Sequence, residues 1–150
     1  MKTLRGVLAA AIVVAAAATG CLSATPISFQ PEVLMMKTTL KGAERSFAYA
    51  KLKPAVIAGK ENQAVFRYRA DIDVVSVTIT TKAPDANGVV TATVFTQRKR
   101  TLPDGNDETT SQTGVYVFTP GKSLIVDSRP RMMPNNIDAN VEMLQLTLEK

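Results

Sequence analysis

Residues 74–96 constrain this chain more than any other stretch. Val74, Val75, Val77, Thr78, Ile79, Thr80 and Thr81 form a run that is β-branched almost throughout, and residues 89–96 are similar. Such side chains are stiff at χ1 and pack well on a pleated surface. Between the two runs lies Pro84-Asp85-Ala86-Asn87-Gly88. Asn-Gly accepts the positive φ that a tight hairpin demands. The spacing therefore predicts two antiparallel strands joined by a short turn.

The remainder of the chain repeats this style. Residues 33–40 and 46–53 read as strands, with Phe47, Tyr49 and Lys51 alternating with Ala48, Ala50 and Leu52, the two-residue period of a pleat. Gly42 permits a turn between them. A helix over residues 41–50 competes, because Ala, Glu and Lys favour one. Pro54 and Gly59 bracket a short apolar piece, and a turn follows over residues 59–62. In residues 63–70, Phe66, Tyr68 and Ala70 share one face, and Val65, Arg67 and Arg69 the other. A break is expected at Asp71 or Asp73. Residues 102–112 are polar and contain Pro103-Asp104-Gly105, so they read as a mobile loop. Strands follow at 115–119 and 123–128, with a turn at Pro120-Gly121. Residues 129–136 read as irregular. In the last strand, residues 140–149, Leu144, Leu146 and Leu148 line the buried face. That makes roughly seven to nine short strands with no segment of helical period. The expected fold is all-β: one antiparallel β-sandwich, immunoglobulin-like or related, over residues 32–150. A small antiparallel β-barrel is the alternative.

The chain ahead of that domain has a different character. Lys2 and Arg5 form a positive head, residues 7–18 are an unbroken run of small and apolar residues, and Ala18-Thr19-Gly20-Cys21 closes it. This is the charged, apolar, small-residue plan of a secretory signal, residues 1–20. The ending resembles the lipobox of bacterial lipoproteins, in which a cysteine is lipidated and becomes the new N-terminus. The resemblance implies acylation at Cys21, the only cysteine of the chain. A retained membrane helix competes, but the run is shorter than the roughly 20 apolar residues a bilayer requires. A cut near Ala24 without lipidation also competes. Leu22 stands where inner-membrane lipoproteins of enteric type carry Asp, which points to the outer membrane. Residues 21–31, with Pro26 and Pro31, read as a tether. Removing the leader takes away Lys2 and Arg5 and no acid, so Lys+Arg falls from 18 to 16 against 13 Asp+Glu, leaving +3 in place of +5.

The residue inventory limits the chemistry. With no histidine, Ser-His-Asp and Cys-His catalysis and His-ligated zinc are excluded. There is no phosphate-binding glycine loop and no Ser-x-x-Lys motif. Asp71 and Asp73 would share a strand face and so resemble a carboxylate pair, although a solvated strand start explains them as well. Asp104, Asn106, Asp107 and Glu108 offer oxygen ligands without the spacing of a calcium loop. No cofactor, metal, nucleic acid or small-molecule substrate is implied. One pattern remains. Arg67 and Arg69, and again Arg98 and Arg100, recur at i and i+2, a spacing that makes basic stripes on a sheet. They are the candidate contacts for an anionic partner, against the plainer reading of charged, edge-protecting outer faces.

The expected function is that of a non-enzymatic, membrane-anchored envelope lipoprotein. It would bind protein partners or assist assembly of a secretion, pilus or surface-fibre system. The stretch from Val89 through Thr110-Ser111-Gln112-Thr113-Gly114 to Leu124 resembles small β-sandwich proteins that restrain curli polymerisation. That resemblance implies a periplasmic chaperone restraining fibre subunits as the alternative.

Overall fold

The computed structural model describes residues 25–39, 42–58, 61–70, 72–132 and 139–150. Among them are nine strands: β1 (Ile27–Thr39), β2 (Gly42–Lys51), β3 (Ala55–Ile57), β4 (Gln63–Ala70), β5 (Asp73–Thr81), β6 (Val90–Thr101), β7 (Asp107–Phe118), β8 (Ser123–Met132) and β9 (Ala139–Leu148). They form two antiparallel sheets and no closed barrel, so the β-sandwich expectation holds. One sheet runs β2-β1-β9-β8, with β3 also on β1; the other is the meander β4-β5-β6-β7. The helix that competed for residues 41–50 does not form over the described part, because residues 42–50 belong to β2, which pairs with β1.

The hairpin at residues 74–96 forms as β5 and β6 in continuous register, Asp73 opposite Arg100 and Thr81 opposite Ala92. Its turn is wider than a two-residue Asn-Gly loop. Gly88 donates its N–H to Asp85 O, and Asp85 donates its own to Val89 O. Gly88 takes φ 75. The Asp85 carboxylate accepts the Asn87 and Val89 amides at 2.8 and 2.9 Å, which selects a three-residue loop with glycine last.

Two boundaries move. The tether expected over residues 21–31 is too long, because β1 begins at Ile27 and Phe29 is fully buried. Pro31 fits this strand where β1 changes partner, after β3 at residues 27–29 and before β2 at Glu32. Its carbonyl accepts the Leu52 N–H, and its missing donor is not needed there. The loop expected over residues 102–112 is mostly strand. Leu102 and Asn106 close a second three-residue turn, with Gly105 at φ 84, and β7 starts at Asp107. Its Thr, Ser and Gln side chains are exposed on both faces, so no alternation of polarity marked it. β8 likewise continues to Met132 through the stretch read as irregular; residues 133–138 lie outside the described residues.

The core fills one half of the sandwich. Phe29, Ile79, Phe118, Leu144 and Leu146 are each fully buried, and the Phe29 and Phe118 rings meet edge-on at 5.0 Å. Leu148 is 3 % exposed, so the three leucines of β9 occupy the face expected of them. This end also holds the first described residue, Thr25, and the turns at residues 82–89 and 119–122.

Candidate functional site

The other half of the interior is ionic. The β6 residues Val90, Ala92, Val94, Thr96 and Arg98 follow one another along the inward face, all buried. Opposite them, β8 carries a bulge between Ile125 and Asp127. An extra residue shifts the parity of a strand, so both Val126 and Asp127 are buried. Tyr116 clasps this bulge from the opposite sheet by donating its hydroxyl to Val126 O at 2.7 Å. Its ring lies over Gly114, where a Cβ would meet it at 2.6 Å.

Arg98 is the hub. Its Nη2 donates to Asp127 Oδ2 at 3.1 Å and to Glu142 Oε1 at 2.9 Å, both on the other sheet. Its Nη1 lies 3.9 Å from Asp73 Oδ2. Arg100 binds the same aspartate with two donors, Nε at 2.7 Å and Nη2 at 3.2 Å. Burial works against the charge on Arg98, but the facing Tyr68 oxygen and the acids outweigh it and raise its pKa. The ion pairs therefore join the two sheets through one side chain.

Tyr68 sits beside this hub, 7 % exposed, and among the described residues its hydroxyl has no hydrogen-bond partner of good geometry. Burial pushes its pKa well above the ordinary 10.0, with the Arg98 field opposing the rise. The folded protein thus holds this proton more tightly than the unfolded chain does. Stability is unaffected below about pH 10 and falls as pH rises past that value, where the unfolded tyrosine ionises. Tyr68→Phe is expected to be neutral or stabilising by up to about 1 kcal/mol at pH 7, because no partner is lost. It should also flatten the alkaline decline. Urea titrations of both proteins at several pH values between neutral and strongly alkaline check this; equal slopes would contradict it.

The four arginines do not make a common stripe. Arg67 and Arg69 are exposed on the outer face of the meander sheet. Arg98 points between the sheets, and Arg100 turns inward onto Asp73. β4 and β6 do belong to one sheet, but their arginine pairs occupy opposite faces. The other sequence candidates resolve simply. Asp73 is buried and paired, and Asp71 lies outside the described residues. Asp104 accepts the Asn106 backbone and side-chain N–H groups, which lower its pKa. Asp107 is held low by Lys99, 2.6 Å away, and by Thr101. Among the described residues no group of three potential metal ligands comes together. Cys21 also lies outside them.

The feature that sequence reasoning missed is the edge of β7. Its twelve residues pair with β6 on one side and, among the described residues, with no strand on the other. Leu102 donates to Asn106 O and Lys82 to Thr91 O. The alternation of an antiparallel ladder then turns the N–H and C=O groups of Thr109, Ser111, Thr113 and Val115 toward the open side. β7 contains neither Lys nor Pro, the usual guards of an edge. Val115 and Val117 are 70 % and 59 % exposed, and Phe95 lies on the same outer face. On the inner side, a cleft of about 230 Å³ separates β7 from β8, lined by Thr96, Arg98, Thr110, Gln112 and Arg129 among others. Arg129 Nη1 bridges it to Thr110 Oγ1 at 3.2 Å.

No family model and no curated protein matches this chain. Among solved structures, it is similar to the secretin InvG of the Salmonella SPI-1 type III secretion injectisome, with 12 % identity and a TM-score of 0.42 over 83 % of this chain and 61 % of that one. A chain of the Salmonella SPI-1 basal-body structure containing InvG, PrgH and PrgK gives the same score and identity over 83 % and 44 %. InvG in its open-gate state gives 0.41 and 10 % over 83 % and 58 %. This chain therefore spans less than two thirds of each.

Proposed function

We propose that the protein is an envelope lipoprotein, anchored through Cys21 at the outer membrane, that binds a protein partner by accepting one of its strands along the edge of β7. It is a binding or assembly module and performs no catalysis. The observation that carries this reading is the twelve-residue open edge itself. Strand addition takes affinity from main-chain hydrogen bonds and specificity from alternate side chains. An added strand would set one row of side chains beside Val115 and Val117. The other row would lie over the cleft, against Arg129 and the hydroxyls of β7. Arg67 and Arg69, two strands away on the outer face, offer the anionic contact expected of them, whereas Arg98 and Arg100 are spent on the protein's own acids.

Ser111→Pro is the decisive variant. The Ser111 N–H lies on the open side, so proline removes a donor that the folded protein does not use. Stability should change by less than about 1 kcal/mol. A photoreactive amino acid at Val115 should capture an envelope protein in cells, and Ser111→Pro should abolish that adduct. An adduct that persists would place the partner elsewhere. The chaperone reading uses the same edge and differs in outcome: it requires the purified protein to slow fibre growth below equimolar ratio.

A further inference from the structure

The end of the sandwich at which the described chain begins carries a mainly apolar cleft of about 570 Å³, with Ser28, Glu149 and Lys150 in the polar part of its lining. Its floor is Val90 and Leu148, which are 1 % and 3 % exposed. Its rim is three prolines, Pro26, Pro84 and Pro120, from three different segments. Thr25 itself lines it. On the other flank of Ile27 lies a smaller cleft of about 230 Å³, lined in part by Ile57 and Pro84. The larger volume falls in the range of sites that hold small apolar ligands, roughly 300–1,000 Å³.

We propose that this cleft receives an acyl chain carried on Cys21. The inference rests on the lipoprotein reading above and adds a binding site to it. Its argument is one of reach and chemistry. Cys21 precedes Thr25 by four residues, so an extended backbone puts it no more than about 14 Å from the rim of the cleft. An acyl chain starting there can fold back over Pro26 onto Val90 and Leu148. Covalent attachment over so short a linker gives an effective concentration on the order of millimolar. An apolar cavity of modest strength is then filled whenever the acyl chain is out of the bilayer. The same cleft is also the end nearest the membrane when the lipid is inserted, which leaves the ionic half and the β6–β7 turn pointing away from it.

The test uses the full chain produced in a bacterium fed palmitic acid bearing a diazirine at its tail. Irradiation of the detergent-free, water-soluble fraction is followed by mass spectrometry of the proteolytic peptides. The expected result is an acylated Cys21 peptide cross-linked to the segments containing Pro84–Val90, Pro120 or Leu148. Pro26→Asp with Pro120→Asp places two charges on the rim, at the exposed Pro26 and the half-buried Pro120, and should lower that yield by about tenfold or more, the effect of roughly 1.4 kcal/mol. The thermal midpoint of the variant, compared with wild type, shows that the loss is not unfolding. An acylated Cys21 peptide with no cross-link to these segments would overturn the cleft site and leave the lipoprotein reading intact. An unmodified N-terminal peptide would overturn both.

Discussion

Leu146→Asp is expected to yield no folded protein. Leu146 is fully buried in β9, between Pro31 of β1 and Leu124 of β8. The substitution removes a leucine from the core, worth roughly 1.5–3 kcal/mol of burial. It also sets a carboxylate in the apolar half of the sandwich, four residues along β9 from Glu142, the acid that meets Arg98. An unpaired buried charge belongs to the few single changes that cost more than about 4 kcal/mol. Together these match much of the stability a domain of this size possesses, about 5–15 kcal/mol. Leu146→Ala separates the two contributions. It keeps the cavity cost of about 2–5 kcal/mol without the charge, so it should fold with a lowered urea midpoint. Circular dichroism of the aspartate variant should show loss of the sheet signal at 25 °C. A cooperative transition near the wild-type midpoint would mean that the face of β9 is misassigned.

The sandwich was legible where burial imposes alternation. In β4, Ala64, Tyr68 and Ala70 are buried while Val65, Arg67 and Arg69 are exposed, as the pattern requires. β5 and β6 behave alike, because each has one face in the core; β9 alternates only from Leu144 to Leu148, since Glu142 and Met143 just ahead of it are both buried. Legibility failed where both faces meet water. β7 has no apolar period over Asp107–Thr113, so its polar residues resemble a loop, yet β6 supplies a full ladder for them. The strand is created by its neighbour, which a local reading does not see. β1 failed for a related reason: Pro26 and Pro31 read as tether, although a proline is harmless where a strand changes partner.

The site divides in the same way. The parity of β6 already aligned Arg98 with Val90, Ala92 and Val94, so its inward direction was present in the sequence. The i, i+2 repeat with Arg100 drew attention instead to a surface stripe. What no spacing along the chain revealed was the company Arg98 keeps. Asp127 reaches it only through a bulge in β8, and Glu142 stands on a strand 44 residues away. Such partners follow from sheet-on-sheet packing, which brings together positions unrelated in sequence. The open edge of β7 is equally a property of topology, since it depends on which strand comes last in the meander.

Arg98→Met should be the most damaging change in the ionic half, and the manner of its rescue tests the network. Asp127 and Glu142 face Arg98 from the opposite sheet, 7 % and 1 % exposed. Removing the guanidinium leaves Asp127 buried without the cation it binds, and breaking a buried pair from one side costs about 3–5 kcal/mol. Replacing Arg98 together with the two acids it bonds on the opposite sheet by neutral residues of similar volume avoids that penalty, and Asp73 keeps Arg100. Arg98→Met with Asp127→Asn and Glu142→Gln should therefore regain most of the lost stability, although it lacks every ion pair from Arg98 to the other sheet. Asp127→Asn alone should cost less than Arg98→Met, because Arg98 keeps Glu142. Adding the Arg98→Met/Asp127→Asn double variant closes a cycle with the two single variants, and urea unfolding of that cycle gives the coupling, which for contacting groups should reach about 0.5–3 kcal/mol. Added salt should change these differences little, since buried pairs are screened far less than exposed ones. An Arg98→Met protein within about 1 kcal/mol of wild type, or a triple variant as unstable as the single one, would show that the ion pairs do not hold the sheets together. If they do, Arg98 also fixes the width of the cleft behind β7, because Asp127 lies on its far wall. Arg98→Met should then weaken partner capture at Val115 even under conditions where the variant remains folded.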